Sequence, residues 1–208
     1  MKSLKSLSVI VIVTILISSC AKIFYSPDAS MLAHSQKNIA ILPSTVSIEA
    51  KKKIDFESMS EEQKTESLNF QKEIYSWMLK RKMQGKITQE IQEIETTNAK
   101  LKKAGYPENP LTTSELCEVL GVNGIIISNF KLSKPISDEI AIAGRLLSSA
   151  LYLPNNEVHA SFSISDCNNK KLIWNYDNKI SGSIGNNRSN LVDRLIMQAI
   201  SKMPYMNK

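Results

Sequence analysis

The sequence predicts an α/β fold, a mixed sheet of four or five strands with helices packed against it in a single domain. Three observations support this prediction. Residues 124–130 are apolar at nearly every position, which is typical of a strand covered on both faces of a sheet. Residues 157–176 alternate apolar and polar side chains around a turn, which indicates an antiparallel hairpin with one solvated face. Helix-compatible stretches lie between and after these strands.

The N-terminal segment has the pattern of an export signal. Lys2 and Lys5 precede an apolar run at residues 7–17, and small residues follow that run. A positive start, a short apolar core and small residues before a cleavage point are the parts of a secretory signal peptide. The apolar run is shorter than the roughly 20 residues that a membrane-spanning helix needs.

The end of this segment, Ile17-Ser18-Ser19-Cys20, resembles the lipobox of bacterial lipoproteins. In that family the chain is cut just before the cysteine, here between Ser19 and Cys20, and the cysteine then receives fatty acyl chains such as palmitate. The resemblance implies a signal peptide at 1–19 and a lipid anchor on Cys20. An ordinary signal peptide cut elsewhere, or an uncleaved membrane anchor, is the alternative.

The residues after Cys20 bear on location and spacing. Ala21-Lys22 lacks the aspartate that retains some lipoproteins at the inner membrane, and an acid-rich patch of the kind linked to surface display is missing. The resemblance therefore implies an anchor in the outer membrane that faces the periplasm. Residues 21–36 show no sustained period, so we expect 20–37 to form a flexible tether and 38–208 to form the domain.

Composition and motifs exclude several classes of function. The net charge is only +6, without the clustered arginines and aromatics of a nucleic-acid binder. His34 and His159 have no acid or cysteine at metal-ligand spacing. A nucleophile elbow, a Ser-x-x-Lys motif and a phosphate loop are absent from the sequence. We expect no enzyme activity, cofactor, metal or nucleic-acid partner.

Other chemically suggestive residues have simpler interpretations. Asp166 fits the opening of a turn, and the adjacent Asp138 and Glu139 do not face each other. Trp77 and Trp174 are expected to be core or half-buried anchors. The glycines at 182 and 185 fit a strand-to-helix turn better than an anion-binding loop.

Two cysteines remain beside Cys20. Cys117 lies in a helix-like segment and Cys167 in a predicted turn. Export permits a disulfide between them, but two cysteines are too few to indicate a fold held together by a disulfide framework. Buried, unpaired thiols are the favoured interpretation, and a Cys117–Cys167 disulfide is the alternative.

Periodicity, caps and helix breakers predict the other elements. In chain order they are a strand at 37–43, a strand extension or irregular crossover at 44–56, a helix from the N-cap Ser60 to about Lys82, a weak edge strand at 86–91, helices at 93–104 and 116–120, a buried helix or exposed apolar loop at 138–151, and a closing helix at 189–203.

Short phrases accompany this order of elements: Leu120-Gly121-Val122 before the 124–130 strand, Lys171-Leu172-Ile173-Trp174 in the hairpin, and Met203-Pro204-Tyr205 after the closing helix. Together they are similar to exported lipoproteins of the type that activate penicillin-binding proteins or build curli secretion pores, and to other envelope lipoproteins of the same arrangement. The resemblance implies an α/β sandwich over most of 38–205. Those families offer no catalytic motif to transfer, and the stretches 60–103 and 141–151 do not match them.

Three hypotheses about function follow. The leading one is a non-enzymatic envelope lipoprotein that binds another protein as an accessory or assembly factor. The second is a homo-oligomeric secretion or pore component in which 141–151 or 44–56 self-associates. The third is a glycan or small-ligand binder that uses the solvated face of the 157–180 hairpin, with Trp174 and Tyr176 near it.

Overall fold

The computed structural model describes residues 21–49, 56–134, 155–182 and 187–207. Its strands are β1 (Lys22–Tyr25), β2 (Asn38–Ile41), β3 (Thr45–Ile48), β4 (Glu90–Ile91), β5 (Gly124–Ser133), β6 (Asn156–Asp166) and β7 (Lys171–Gly182). The helices within the described ranges are α1 (Ala29–Ser35), α2 (Phe56–Met83), α3 (Ile94–Lys103), α4 (Thr113–Leu120) and α5 (Arg188–Ile200).

The seven strands form one mixed sheet in the order β1-β7-β6-β5-β2-β4, and β3 pairs with β5 beyond the end of β2. β5 runs parallel to β2 and β3 on one side and antiparallel to β6 on the other. The predicted α/β class is confirmed, although the sheet has more strands than the four or five expected. The extra strands are β1 and β3, each of four residues, too short to show a period.

β5 lies centrally in the sheet because its side chains are apolar on both faces. The adjacent residues Ile125 and Ile126 point to opposite faces, and both are fully buried. Ile126 belongs to the larger core, which packs under α1, α2 and α5. Ile125 belongs to a smaller core under α3 and α4. The prediction of a strand covered on both faces therefore holds at this end of β5.

The hairpin of β6 and β7 is confirmed and is longer than predicted. It closes through a four-residue turn in which Lys170 has a positive φ of 53°. A register irregularity between Ile164 and Ser165 lets Ile173 and Trp174 of β7 both be buried.

The flexible tether predicted for 20–37 is wrong for most of its length. β1 pairs antiparallel with β7, from Lys22 opposite Asp177 to Tyr25 opposite Trp174. α1 then buries Ala29, Leu32 and Ala33 in the larger core. Because β1 acquires its partner from the far end of the chain, no local pattern reveals it.

Two predicted helix starts are corrected. α2 begins at Phe56, four residues before the predicted N-cap Ser60, so the serine and acids read as a start signal lie inside the helix. α4 begins at Thr113 after an N-cap at Thr112, whose hydroxyl accepts a hydrogen bond from the Glu115 amide while the Glu115 carboxylate accepts one from the Thr112 amide. This capping box stabilises a short helix.

The other elements agree with their predictions to within a few residues. The ambiguous 44–56 stretch contains β3, and the weak edge strand is reduced to β4. Within the described ranges, no helix is long and apolar enough to cross a membrane. Cys20 and the rest of the predicted signal, the 138–151 segment and Gly185 fall outside the described residues.

Candidate interaction surface

One half of one sheet face carries polar side chains that no described helix covers. We call this surface the open face. It consists of alternate residues of five neighbouring strands, which the strand register places in rows. Its members are Lys22 and Phe24 of β1, Asn175, Asp177 and Lys179 of β7, Glu157, His159, Ser161 and Ser163 of β6, Asn129 and Lys131 of β5, and Thr45 and Ser47 of β3, with Glu49 just beyond β3.

Ion pairs between neighbouring strands organise the open face. The Lys131 ammonium lies 2.6 Å from the Glu49 carboxylate, and this partner raises the pKa of Lys131. The Lys179 ammonium lies 2.9 Å from the Glu157 carboxylate.

The centre of the open face holds a further pair and an amide contact. His159 Nε2 lies 2.8 Å from a carboxylate oxygen of Asp177, and the Asn129 amide donates a hydrogen bond to the Ser161 hydroxyl at 3.3 Å. Exposed pairs of this kind contribute little to folding stability, typically below about 1 kcal/mol. The strand register, rather than these pairs, sets the spacing of the donors and acceptors on the face.

The charges of the open face balance. Its lysines (Lys22, Lys131 and Lys179) match its acids (Glu49, Glu157 and Asp177) in number. A surface that binds a phosphate backbone carries an excess of cations. The open face therefore suits a polar protein surface with alternating charge better than a nucleic acid.

The opposite face of the same strands is apolar and aromatic. Trp174 and Tyr176 stack with their ring centroids 6.0 Å apart, and both are buried. The prediction that Trp174 is a core or half-buried anchor is confirmed, whereas the ligand-binding hypothesis, which placed both rings near the solvated face of the hairpin, is wrong on this point. Because both rings are buried, they cannot stack against a ligand on the solvated face, as the ligand-binding hypothesis required.

A cleft of about 590 Å³ lies between α2 and α5. Glu66, Glu73 and Arg188 line it. Burial raises the pKa of Glu73 to about 7, with further contributions from a hydrogen bond with Asp193 and from the charges of Asp193 and Glu66. Asp193 also accepts a hydrogen bond from the Trp77 indole at 2.7 Å. These groups join two helices and present no nucleophile beside a base.

A second cleft, of about 700 Å³, lies between β3, α2 and α3. Its lining includes the apolar side chains of Val46, Leu68 and Leu101, with Lys64 and Lys102 also present. Leu68 is more than one-third exposed.

Cys117 and Cys167 are bonded to each other in the structure, with Cα atoms 5.6 Å apart. The bond joins α4 to the turn between β6 and β7.

Next to the disulfide, the buried Asp166 accepts hydrogen bonds from the Gln36 side-chain amide at 2.9 Å and from the Asn169 backbone amide at 2.8 Å. The Tyr205 hydroxyl in turn donates to the Gln36 amide oxygen at 2.6 Å, so Gln36 links the end of α1 and Tyr205 to Asp166 at the turn.

The remaining candidate residues have structural roles. His34 is exposed and contacts the Ser30 carbonyl and the Asn207 amide. Within the described part of the chain, no group of three or more His, Cys, Asp or Glu side chains is placed to hold a metal ion.

Sequence reasoning missed two features. Gln36 was assigned to a tether, yet it is buried and packs so closely on Gly124 that an added Cβ would lie 2.0 Å from the Gln36 Oε1 atom. Ile23 and Phe24 of β1 are exposed apolar residues. Alternation in the hairpin did indicate a solvated face, but it did not indicate that β1 and β3 extend it.

No protein-family model matches this sequence, and no curated protein matches it either. The fold is similar to that of the PelC dodecamer from Paraburkholderia phytofirmans, with a TM-score of 0.47, 10% identity, and coverage of 91% of this chain and 99% of that chain. Lipoprotein GNA1162 from Neisseria meningitidis has a TM-score of 0.44 at 12% identity, covering 80% and 96%. The LpoB C-terminal domain from Salmonella enterica has a TM-score of 0.35 at 7% identity, covering 74% and 96%. No functional residue is transferred from these proteins.

Proposed function

We propose that this protein is a non-enzymatic lipoprotein of the bacterial envelope that binds another envelope protein through the open face. Its acyl chains sit on Cys20, and it faces the periplasm from the outer membrane. The N-terminal charge pattern and the lipobox-like Ile17-Ser18-Ser19-Cys20 support the anchor. The open face supports the binding role.

The open face carries this proposal because it is an ordered polar surface on a sheet whose other side is a packed core. Five strands at about 4.8 Å spacing give a width of roughly 20 Å. With a similar length along β5, the projected area is on the order of 400 Å², about half of the roughly 800 Å² that one partner buries in a stable complex. A bound protein would therefore centre on the open face and extend beyond it.

A photo-crosslinking side chain at Ser161 tests the binding role in intact cells. We expect one dominant crosslinked species from Ser161, and none from the same group at Ser76, an exposed position on α2. The species should disappear when Lys131→Glu reverses a charge on the face. Crosslinking that is equal at both positions would contradict the proposal.

The same experiment separates this function from self-association. A crosslinked product with twice the mass of this chain would favour the homo-oligomer hypothesis. Sedimentation of the purified protein in detergent then decides between the two. A monomer at high concentration excludes the oligomer.

The lipid anchor has its own test. Mass spectrometry of the N-terminal peptide should show acyl chains on Cys20 and no residues before it. Cys20→Ser should abolish this modification and leave the precursor uncut. An unmodified mature N-terminus at another residue would refute the anchor without bearing on the open face.

A further inference from the structure

The spacing between Cys20 and the domain has a geometric consequence. β1 begins at Lys22, which is already held opposite Asp177 of β7. Two residues of extended chain reach at most about 7 Å. Acyl chains on Cys20 would therefore bring β1 to the membrane surface, with no room for a tether between the two.

β1 has the side chains expected of a strand in that position. It is an edge strand of the sheet, and its residues Ile23, Phe24 and Tyr25 are 36%, 50% and 47% exposed. A soluble protein usually protects an edge strand with charges or prolines rather than aromatics. Aromatic side chains with one apolar and one wet side are instead favoured in the headgroup layer of a bilayer.

A groove of about 300 Å³ runs between β1 and α5, and Ala21 forms part of its wall. Arg194 and Lys202 line this groove, together with Asn178 and Gln198. Arg194 and Lys202 are exposed, and no acid is among the lining residues. The groove thus places two cations and neutral hydrogen-bonding groups beside Ala21, the residue that follows Cys20. A phosphate ester is the ligand that such a set fits.

We propose that the β1 margin, defined as β1 together with the groove residues Arg194 and Lys202, lies on the bilayer and binds the headgroups of anionic phospholipids. Phe24 and Ile23 enter the headgroup layer, and the groove receives a lipid phosphate. This inference rests on the proposed lipid anchor at Cys20. It deepens that proposal by assigning the domain one orientation.

The orientation has a consequence for the open face. A sheet resting on β1 stands upright on the membrane, with β4 at the far edge. β5 is three strands away from β1, so Lys131 and Asn129 lie roughly 14 Å further from the bilayer. The part of the open face from β7 to β3 then points sideways into the periplasm, where a membrane-bound partner can reach it, while Phe24 at its β1 edge contacts the bilayer.

Depth-dependent fluorescence tests the contact with the bilayer. The full lipoprotein carrying Phe24→Trp is reconstituted into vesicles that contain brominated phospholipid, which quenches nearby tryptophan. The matched control is Met83→Trp, which replaces an 89% exposed side chain at the end of α2. Trp77 and Trp174 give the same background in both proteins.

We expect quenching above the background for Phe24→Trp and none above it for Met83→Trp. Equal quenching of the two variants, in protein whose Cys20 is shown by mass spectrometry to be acylated, would overturn the inference. Absence of acylation would instead refute the proposed anchor, so the two failures are distinguishable.

Charge variants test the groove. Tryptophan quenching is measured in vesicles with and without phosphatidylglycerol for two proteins. One carries Phe24→Trp alone, and the other carries Phe24→Trp together with Arg194→Gln and Lys202→Gln. A cation near an anionic membrane surface favours contact about five-fold, so the double change should lower the contact population up to about 25-fold and remove the effect of phosphatidylglycerol. Lys64→Gln with Lys102→Gln gives a control of equal charge. An equal loss of membrane contact in that control would show that only the net charge of the protein matters. It would contradict the proposal that the groove binds a lipid phosphate.

Discussion

The two faces of the β6–β7 hairpin use the same strands for opposite purposes. Toward α2 and α5, Phe162 packs with its ring centroid 5.6 Å from that of Phe130 and 6.2 Å from that of Tyr176. Toward solvent, the neighbouring Ser161 and His159 make polar contacts with Asn129 and Asp177. The first face accounts for the stability of the fold. The second contributes little to stability, which leaves its residues available for recognition.

The largest expected effect on stability comes from removing an aromatic side chain from the buried face. Phe162→Ala removes a fully buried aromatic from the centre of the row and should lower the free energy of unfolding by about 3–5 kcal/mol. Ser161→Ala, the next residue on the open face, should change it by less than about 0.5 kcal/mol. Urea unfolding of both variants measures the contrast. Similar losses at the two positions would contradict the division between the faces.

The disulfide is expected to contribute the next largest effect. Cys117 and Cys167 are separated by 50 residues of sequence, and closing a loop of that size typically stabilises a domain by about 2–4 kcal/mol. The double change Cys117→Ala and Cys167→Ala should lower the free energy of unfolding by that amount and so lower the urea midpoint. A reducing agent should lower it for the wild type and leave the double variant unaffected. Two free thiols in the exported wild-type protein would contradict the pairing.

A pH-dependent effect is expected at the contact between α2 and α5. The pKa of Glu73 is raised from 4.5 to about 7 in the folded protein. The unfolded chain therefore loses this proton at lower pH than the folded one, so stability falls between about pH 4.5 and 7 and does not recover above that range. Since Glu73 is only half-buried, we expect the fall to be on the order of 1 kcal/mol.

Glu73→Gln is the test of this linkage. It keeps a hydrogen bond with Asp193 and removes the titration, so the variant should be more stable than the wild type at pH 8 and similar to it near pH 4. Thermal unfolding across this range measures the difference. Glu61→Gln, at an exposed position on the same helix, is the control and should leave the pH profile unchanged.

Local patterns in the sequence were sufficient for some elements and not for others. β5 and the hairpin show their type through apolar runs and alternation. β1 does not, because four residues carry no period and its partner β7 lies about 150 residues later in the chain. Trp174 is buried, as expected of a core anchor, but the burial of its neighbour Ile173 follows from the register shift at Ile164 and Ser165, which alternation in the sequence does not indicate.

The candidate surface was harder to predict than the fold, because it is formed by residues that are distant in the sequence. Alternation in β6 indicated a solvated face, but the addition of β1 and β3 to that face follows only from the sheet order. Asp166 was interpreted as a turn residue, and it does accept the Asn169 amide. Its second partner, Gln36, is 130 residues away in the sequence, and no spacing in the sequence relates the two.

The smallest expected effect on stability separates recognition from folding most directly. Lys131 and Glu49 are each about half exposed and lie 2.6 Å apart, so exchanging them as Glu49→Lys with Lys131→Glu keeps the pair and should leave the free energy of unfolding almost unchanged. The single change Lys131→Glu should lower the free energy of unfolding slightly, because it places two acids side by side. Crosslinking from Ser161 should be lost in both variants, since the exchange restores the ion pair but reverses the charges that a partner meets. Crosslinking retained in the exchanged protein would mean that the partner does not contact this edge of the open face.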